Sequence, residues 1–244
     1  MPQSSTANRI ARGLHSARLS TYLAASGGDQ AEALNLYRWN LRLAAALHTS
    51  LSLTEVLFRN AIDGQLRAWN SVQSRREGGQ HSADWLLDPA RPLNSLIEGA
   101  QRRATQNATA ARAARPRSHP RKLAPICHDD VLAQLTFGVF VRLLPTDDLH
   151  DPRYRGRRVL WTEALTYAFP TSRNDPDGIV IESRATRLHA LRNRVAHLEP
   201  LLDVNAQGRH RDMVRLIGCI DPALQGWFSG TSRTVEVARE RPPA

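Results

Sequence analysis

Apolar residues recur along this chain at the three- and four-residue spacings of amphipathic helices, with no convincing two-residue alternation of the kind a half-buried strand requires. One such helix over residues 10–25 ends at Gly27 and Gly28, which suit the left-handed turn that closes a helix. Asp29 fits an N-cap for a second helix reaching about residue 48, with Leu34, Leu41, Leu43 and Leu47 among its apolar positions. Ser52-Leu53-Thr54-Glu55 has the form of a capping box and predicts a third helix over 53–69. In the loop 78–92, Trp85, Leu86 and Leu87 read as an apolar anchor onto the core. Asn94 suits the cap of a long helix running to 114, after which Pro116, Pro120 and Pro125 break the pattern. Helices are expected over 130–144, carrying Val131, Leu132, Leu135 and Phe140, and over 158–169, carrying Trp161 and Leu165. After Asn174-Asp175-Pro176-Asp177-Gly178 come a helix ending near Pro200, another over 209–220, and a short one opened by Asp221-Pro222 and running through Trp227. The expected class is all-α. Residues 1–8 are polar and expected to be disordered, 9–230 form one helical domain with a basic irregular insertion at 102–125, and 231–244 form a flexible tail.

Composition narrows the picture without changing it. With 41% hydrophobic and 23% charged residues in 244, the chain reads as an ordinary soluble globular protein with a substantial core. No apolar run approaches the roughly 20 residues of a membrane span, and the N-terminus lacks the apolar core of a secretory signal, so a cytoplasmic protein without membrane partners is expected. Cys127 and Cys219 are isolated, which gives neither a disulfide framework nor zinc-ligand spacing and suggests small packing residues. The net charge of +10 favours a polyanionic partner. Arg102, Arg103, Arg112, Arg115, Arg117, Arg121 and Lys122 fall within 21 positions that contain no acidic residue, which reads either as a solvated loop or as a track for a phosphate backbone. Arg153, Arg155, Arg157 and Arg158 form a second basic cluster.

The run Leu191-Arg192-Asn193-Arg194-Val195-Ala196-His197-Leu198-Glu199-Pro200 carries the chemistry. Leu188, Leu191, Val195 and Leu198 make one apolar stripe, and at about 100° per residue Asn193 and His197 lie within about 40° of each other, roughly opposite it. Pro200 disfavours helix at Glu199, so the helix should stop near His197 and leave its imidazole accessible. A guanidinium, an amide and an imidazole in one place are the parts of a metal-free RNA-cleaving site. Histidine exchanges protons near neutral pH, arginine offsets charge on phosphoryl oxygens, and asparagine orients the reacting groups. His189 lies near the same face, but His-x7-His without a third ligand does not define a metal site.

Arg192, Asn193 and His197 form an Arg-x4-His pattern that resembles the motif of HEPN domains. Tyr37-Arg38-Trp39-Asn40, the stretch Leu53-Thr54-Glu55-Val56-Leu57-Phe58-Arg59-Asn60-Ala61-Ile62-Asp63, and Leu135-Thr136-Phe137-Gly138-Val139-Phe140-Val141 with Leu160-Trp161 resemble blocks of the Abi-like (abortive infection, AbiD/AbiF type) family, in order and over about 37–227. The resemblance implies a HEPN-like helical bundle with additional N-terminal helices, and a metal-independent endoribonuclease of the HEPN type. It implies a toxin or abortive-infection effector in phage defence, needing no cofactor, restrained by an antitoxin that is a small RNA or a protein. It also implies a homodimer through the motif helix, in which two histidines share one groove and the small Ala196 permits close approach. Leu198 departs from the pattern, since many relatives carry a second histidine there. Arg192, Asn193 and His197 are the expected catalytic residues, with RNA contacts along the basic 102–122 segment. Asn40, Glu55, Arg59 and Asn60 are expected to form a structural polar network against the motif helix, and Phe137-Gly138 a close helix contact. A non-catalytic RNA-binding or scaffold protein is the alternative. A metal-dependent nuclease is disfavoured, because Asp129-Asp130 and Asp147-Asp148 read as caps and turns.

Overall fold

The computed structural model describes residues 3–172 and 174–243, with side chains from residue 6 onwards. Among the described residues the regular structure is eleven α-helices, a 3-10 turn at Leu165–Ala168 and a lone antiparallel bridge between Ser74 and Gln80. The class is all-α, as the periodicity predicts. The chain divides into two compact units, one of Met1–Thr54, Ala190–Arg215 and Ala223–Ala244, the other of Glu55–His189 and Leu216–Pro222. The sequence suggested one domain over 9–230; the unit boundaries at residues 54/55, 189/190 and 215/216 fall inside helices, so no linker composition marks them.

The first unit holds α1 (Gln3–Leu14), α2 (Ser16–Ala25), the first part of α3 (Gln30–Ser71), the last turns of α8 (Ile179–Ala196), most of α9 (Ala206–Ile220), and α10 (Ala223–Thr231) and α11 (Thr234–Arg239). Residues 3–8, expected to be disordered, are helical in α1, and the Gln30 side-chain amide donates to Asn8 Oδ1 at 2.9 Å; residues 1 and 2 lie outside the described residues. The helix expected over 10–25 is broken at His15, which takes a left-handed φ of 65° and caps α2 by accepting the Ala17 N–H. The two helices expected between 29 and 69 are instead one, α3, and the capping-box residues lie in its interior. Thr49, Ser50 and Thr54 turn their hydroxyls onto carbonyls four residues back, at 2.8–3.1 Å, so they extend the backbone ladder where a cap would end it. The tail expected to be flexible forms α11: the buried Trp39 donates its indole N–H to Val237 O at 2.8 Å, and Ser50 meets Thr234 at 3.1 Å. Residue 244 lies outside the described residues.

The second unit is built on the remainder of α3, with α4 (Leu93–Ala114), α5 (His128–Leu132), α6 (Phe137–Val141) and α7 (Tyr154–Glu163). Phe58, Phe137, Phe140, Trp161 and Phe169 centre its core, with Phe58 edge-on to Phe137 at 5.5 Å. The anchor reading of the 78–92 loop holds for Trp85 and Leu86, both buried, whereas Leu87 is exposed. A polar network fixes that loop. Asp63 Oδ1 accepts from the Trp85 indole at 2.8 Å and pairs with His128 Nε2 at 2.9 Å, while Arg67 reaches Asp63, Asp84 and Asp129. Burial pushes the Asp63 carboxyl up, but the His128 and Trp85 hydrogen bonds and the nearby cations outweigh it and hold it below the ordinary carboxylate range. The helix expected over 130–144 is two short ones, because Thr136 is extended (φ −90°, ψ 158°). Every residue of α6 is buried, and a five-residue helix inside the core satisfies that packing where one amphipathic helix with a polar face would not.

Candidate functional site

The helix α8 that carries the Arg-x4-His pattern begins at a defined cap. Asp175 accepts the backbone N–H groups of Val180 and Ile181 at 3.0 and 2.9 Å, and Gly178, with φ 73°, lies so close to the Trp161 ring that a Cβ would stand 2.6 Å from it. Farther along, His189 lies over Gly138 of α6 and edge-on to Phe137 at 6.0 Å; a Cβ on Gly138 would come within 2.6 Å of His189 Nε2. The close contact expected at Phe137-Gly138 is therefore with this histidine, which packs on α6 within the second unit.

The end of α8 belongs to the first unit and closes with a Schellman turn. The Leu198 N–H bonds Val195 O at 3.2 Å, the Glu199 N–H bonds Arg194 O at 2.9 Å, and Leu198 takes the left-handed φ of 55°. His197 is the last residue before that reversal, and its backbone N–H bonds Asn193 O at 2.9 Å, one helical turn back. Its side chain is exposed and makes no hydrogen bond among the described residues; Arg192 and Asn193 are half-buried. The expectation that the helix stops near His197 and leaves the imidazole accessible holds, although a leucine in the left-handed conformation turns the chain before Pro200 does.

Four side chains hold the segment after His197. Arg18 donates to Leu198 O at 2.6 Å, Arg194 to Pro200 O and to both carboxylate oxygens of Asp203, and Arg241 to Leu202 O at 2.8 Å while its guanidinium lies 5.4 Å over the Trp39 ring. The buried Asn40 accepts the N–H of Leu201, itself fully buried, at 2.7 Å. Its hydrogen bond with Arg194 holds the Asp203 carboxyl below the ordinary range, and the same bond raises Arg194. Sequence reasoning missed Arg18, Asp203 and Arg241, since none is near the motif in a helical register. Arg194 was visible inside the run, and its alternation with Arg192 was the one signal that two arginines two residues apart must serve different faces.

The other expected residues differ in burial and in partners. Asn40 binds the motif loop, as a structural polar residue should. Glu55 and Arg59 are half-buried in the second unit, where Arg59 Nε is buried without a hydrogen-bond partner among the described residues. Asn60 is exposed, because Phe58 and Ile62 turn the opposite side of α3 into the core. Of the basic 102–122 segment, Arg115 and Arg121 bind opposite oxygens of Asp130 at 2.7 and 2.8 Å, and Lys122 caps the end of α4 through Ala113 O and Arg115 O. Those three are fastened to the protein, whereas Arg102, Arg103 and Arg117 are exposed and Arg112 half-buried. The Cys127 backbone N–H, against partial burial, and then Arg115, the Cys127 side chain and Arg121 bring Asp130 down to about 2. Asp130 thus acts as a cap, as read from the sequence. Both cysteines are half-buried and unpaired, with burial pushing the Cys219 thiol up. Among the described residues no group of three or more histidine, cysteine or acidic side chains is placed to hold a metal ion, and no helix is long and apolar enough to cross a membrane. No protein-family model, curated protein or solved structure matches this chain.

Proposed function

We propose that this chain is a metal-independent endoribonuclease of the HEPN type, in which His197 is the proton-transfer group, Arg192 the phosphate stabiliser and Asn193 the orienting residue. The observation that carries the reading is His197 itself, exposed at the end of the motif helix, one turn from Asn193, on a segment clamped by Arg18, Asn40, Arg194 and Arg241. A ribose 2′-hydroxyl attacks the adjacent phosphorus, an imidazole takes its proton, the bond to the 5′-oxygen breaks, and a second imidazole, now acting as acid, protonates that oxygen. The products are a 2′,3′-cyclic phosphate and a 5′-hydroxyl. The second imidazole is His197 of another copy of the chain across a twofold axis. The Abi-like resemblance extends the reading to a cytoplasmic abortive-infection or toxin effector held in check by an RNA or protein antitoxin.

Purified wild-type and His197→Ala protein, incubated with labelled RNA in excess EDTA, test it. Cleavage by the wild type alone, leaving cyclic phosphate ends and sparing DNA of the same sequence, is the expected outcome. Equal RNA binding by both proteins with cleavage by neither, after any co-purifying inhibitor is stripped, returns the reading to a non-catalytic RNA-binding scaffold.

A further inference from the structure

Three arginines from separate elements converge in the second unit, in excess of the carboxylate beside them, Asp151, which accepts the Arg153 backbone N–H at 2.8 Å and is also paired with Arg157. Gly156 of α7 lies against Pro92 and Leu96 at the start of α4, close enough that a Cβ would stand 3.3 Å from Pro92. Arg103 is seven residues beyond Leu96, hence within about 20° of the same side of α4. Arg153 immediately precedes α7, one turn before Gly156. Arg157, one turn into α7, donates to Leu144 O and, at 3.1 Å, to Pro145 O, and so ties α7 to the segment just after α6, where Arg142 is the closing residue. Arg142 is held below the ordinary guanidinium range first by desolvation and then by the charges of Arg153 and Arg103, so it lies within electrostatic reach of both. Each is exposed, and none has a side-chain hydrogen bond or ion pair among the described residues. Arg157 in the same region spends its charge on Asp151, at 2.8 Å.

Such a cluster repels itself in the empty protein and gains when a polyanion supplies the missing charge. We infer that Arg103, Arg142 and Arg153 form a binding site for successive phosphates of an RNA strand, centred on Arg142. The identity of the polyanion as RNA rests on the ribonuclease reading above; the site itself rests on the convergence of α4, α6 and α7. It relocates the nucleic-acid surface. Of the segment expected to track the phosphate backbone, Arg115, Arg121 and Lys122 are occupied by the protein's own acceptors, and Arg103 joins a site whose other members lie outside that segment.

The test measures binding of a labelled single-stranded RNA to His197→Ala protein, which prevents turnover, across a salt series. Arg142→Gln is expected to weaken binding several-fold and to flatten the slope of log affinity against log salt by about 0.7, the triple Arg103→Gln/Arg142→Gln/Arg153→Gln variant by about 2, and Arg142→Lys to keep most of the slope. Arg142→Gln in the absence of RNA should melt at the same temperature as its parent or higher, since a repulsion is removed. An unchanged affinity and slope in the triple variant overturns the proposal, as does failure of the parent protein to bind RNA. So does displacement of RNA by polyglutamate at equal charge, which would make this a surface for an acidic protein. Cleavage that needs His197 with no dependence on the cluster leaves the ribonuclease standing and removes this site; cluster-dependent binding without cleavage does the reverse.

Discussion

At residue scale, the position next to His197 is the most informative. Leu198 adopts a left-handed φ of 55° and is 55% exposed, and a Cβ in that conformation costs roughly 1–2 kcal/mol that glycine avoids. Leu198→Gly should therefore raise stability by about 1 kcal/mol, less the entropy that glycine returns to the unfolded chain, and should leave the Schellman hydrogen bonds in place. A shift of the urea midpoint to higher concentration checks it. A shift downward would mean that the leucine side chain contributes more than its backbone conformation costs. Asn40 illustrates how residue type was readable while its role was not. A buried amide was expected to be structural, but nothing in the spacing between positions 40 and 201 announced that it would accept the Leu201 N–H.

Among elements, the connection between α4 and α5 shows charge acting as architecture. Asp130 gathers Arg115, Arg121 and the Cys127 N–H, and its carboxyl sits at about 2 against an ordinary 3.8. A carboxyl depressed in the folded state stabilises fully above its unfolded pKa and loses that contribution as the pH falls through its folded value. Stability should thus decline between about pH 4 and pH 2 in the native protein, with part of that decline absent in Asp130→Asn, measured as urea midpoints over that range. An equally steep acid loss in the variant would place the sensitivity in other carboxyls, of which Asp88, also near 2 through Ser82, Arg75 and His81 despite partial desolvation, is the next to test. The sequence showed a run of seven cations without an acid. It did not show that one aspartate eight residues past the last of them would bind two, because that pairing depends on where the turn after α4 returns the chain.

For the whole molecule, the ribonuclease reading makes a claim about copy number. One motif supplies one imidazole, and the reaction is best served by an acid and a base. If the groove is composite, mixing equal amounts of wild-type and His197→Ala chains before assembly should leave about a quarter of the dimers with two histidines, and cleavage should fall to about that fraction. A fall to one half, in proportion to wild-type chains, would show that each protomer works alone. The periodicity by itself determined that this chain is all helical, where α4 and the motif helix run, and that the motif helix ends near an exposed His197, because those properties depend on neighbours within one or two turns; it did not determine that Leu198 would be exposed or that His189 would pack on α6. Whether α3 breaks at a capping box, whether the tail packs, which arginines are occupied and where the unit boundaries fall were decided by tertiary structure alone. Those outcomes depend on where turns and neighbouring elements return the chain, or on a boundary inside a helix, and periodicity within one or two helical turns reads neither. A serine caps or back-bonds, and an arginine binds a carboxylate or waits for a phosphate, according to what the fold brings beside it.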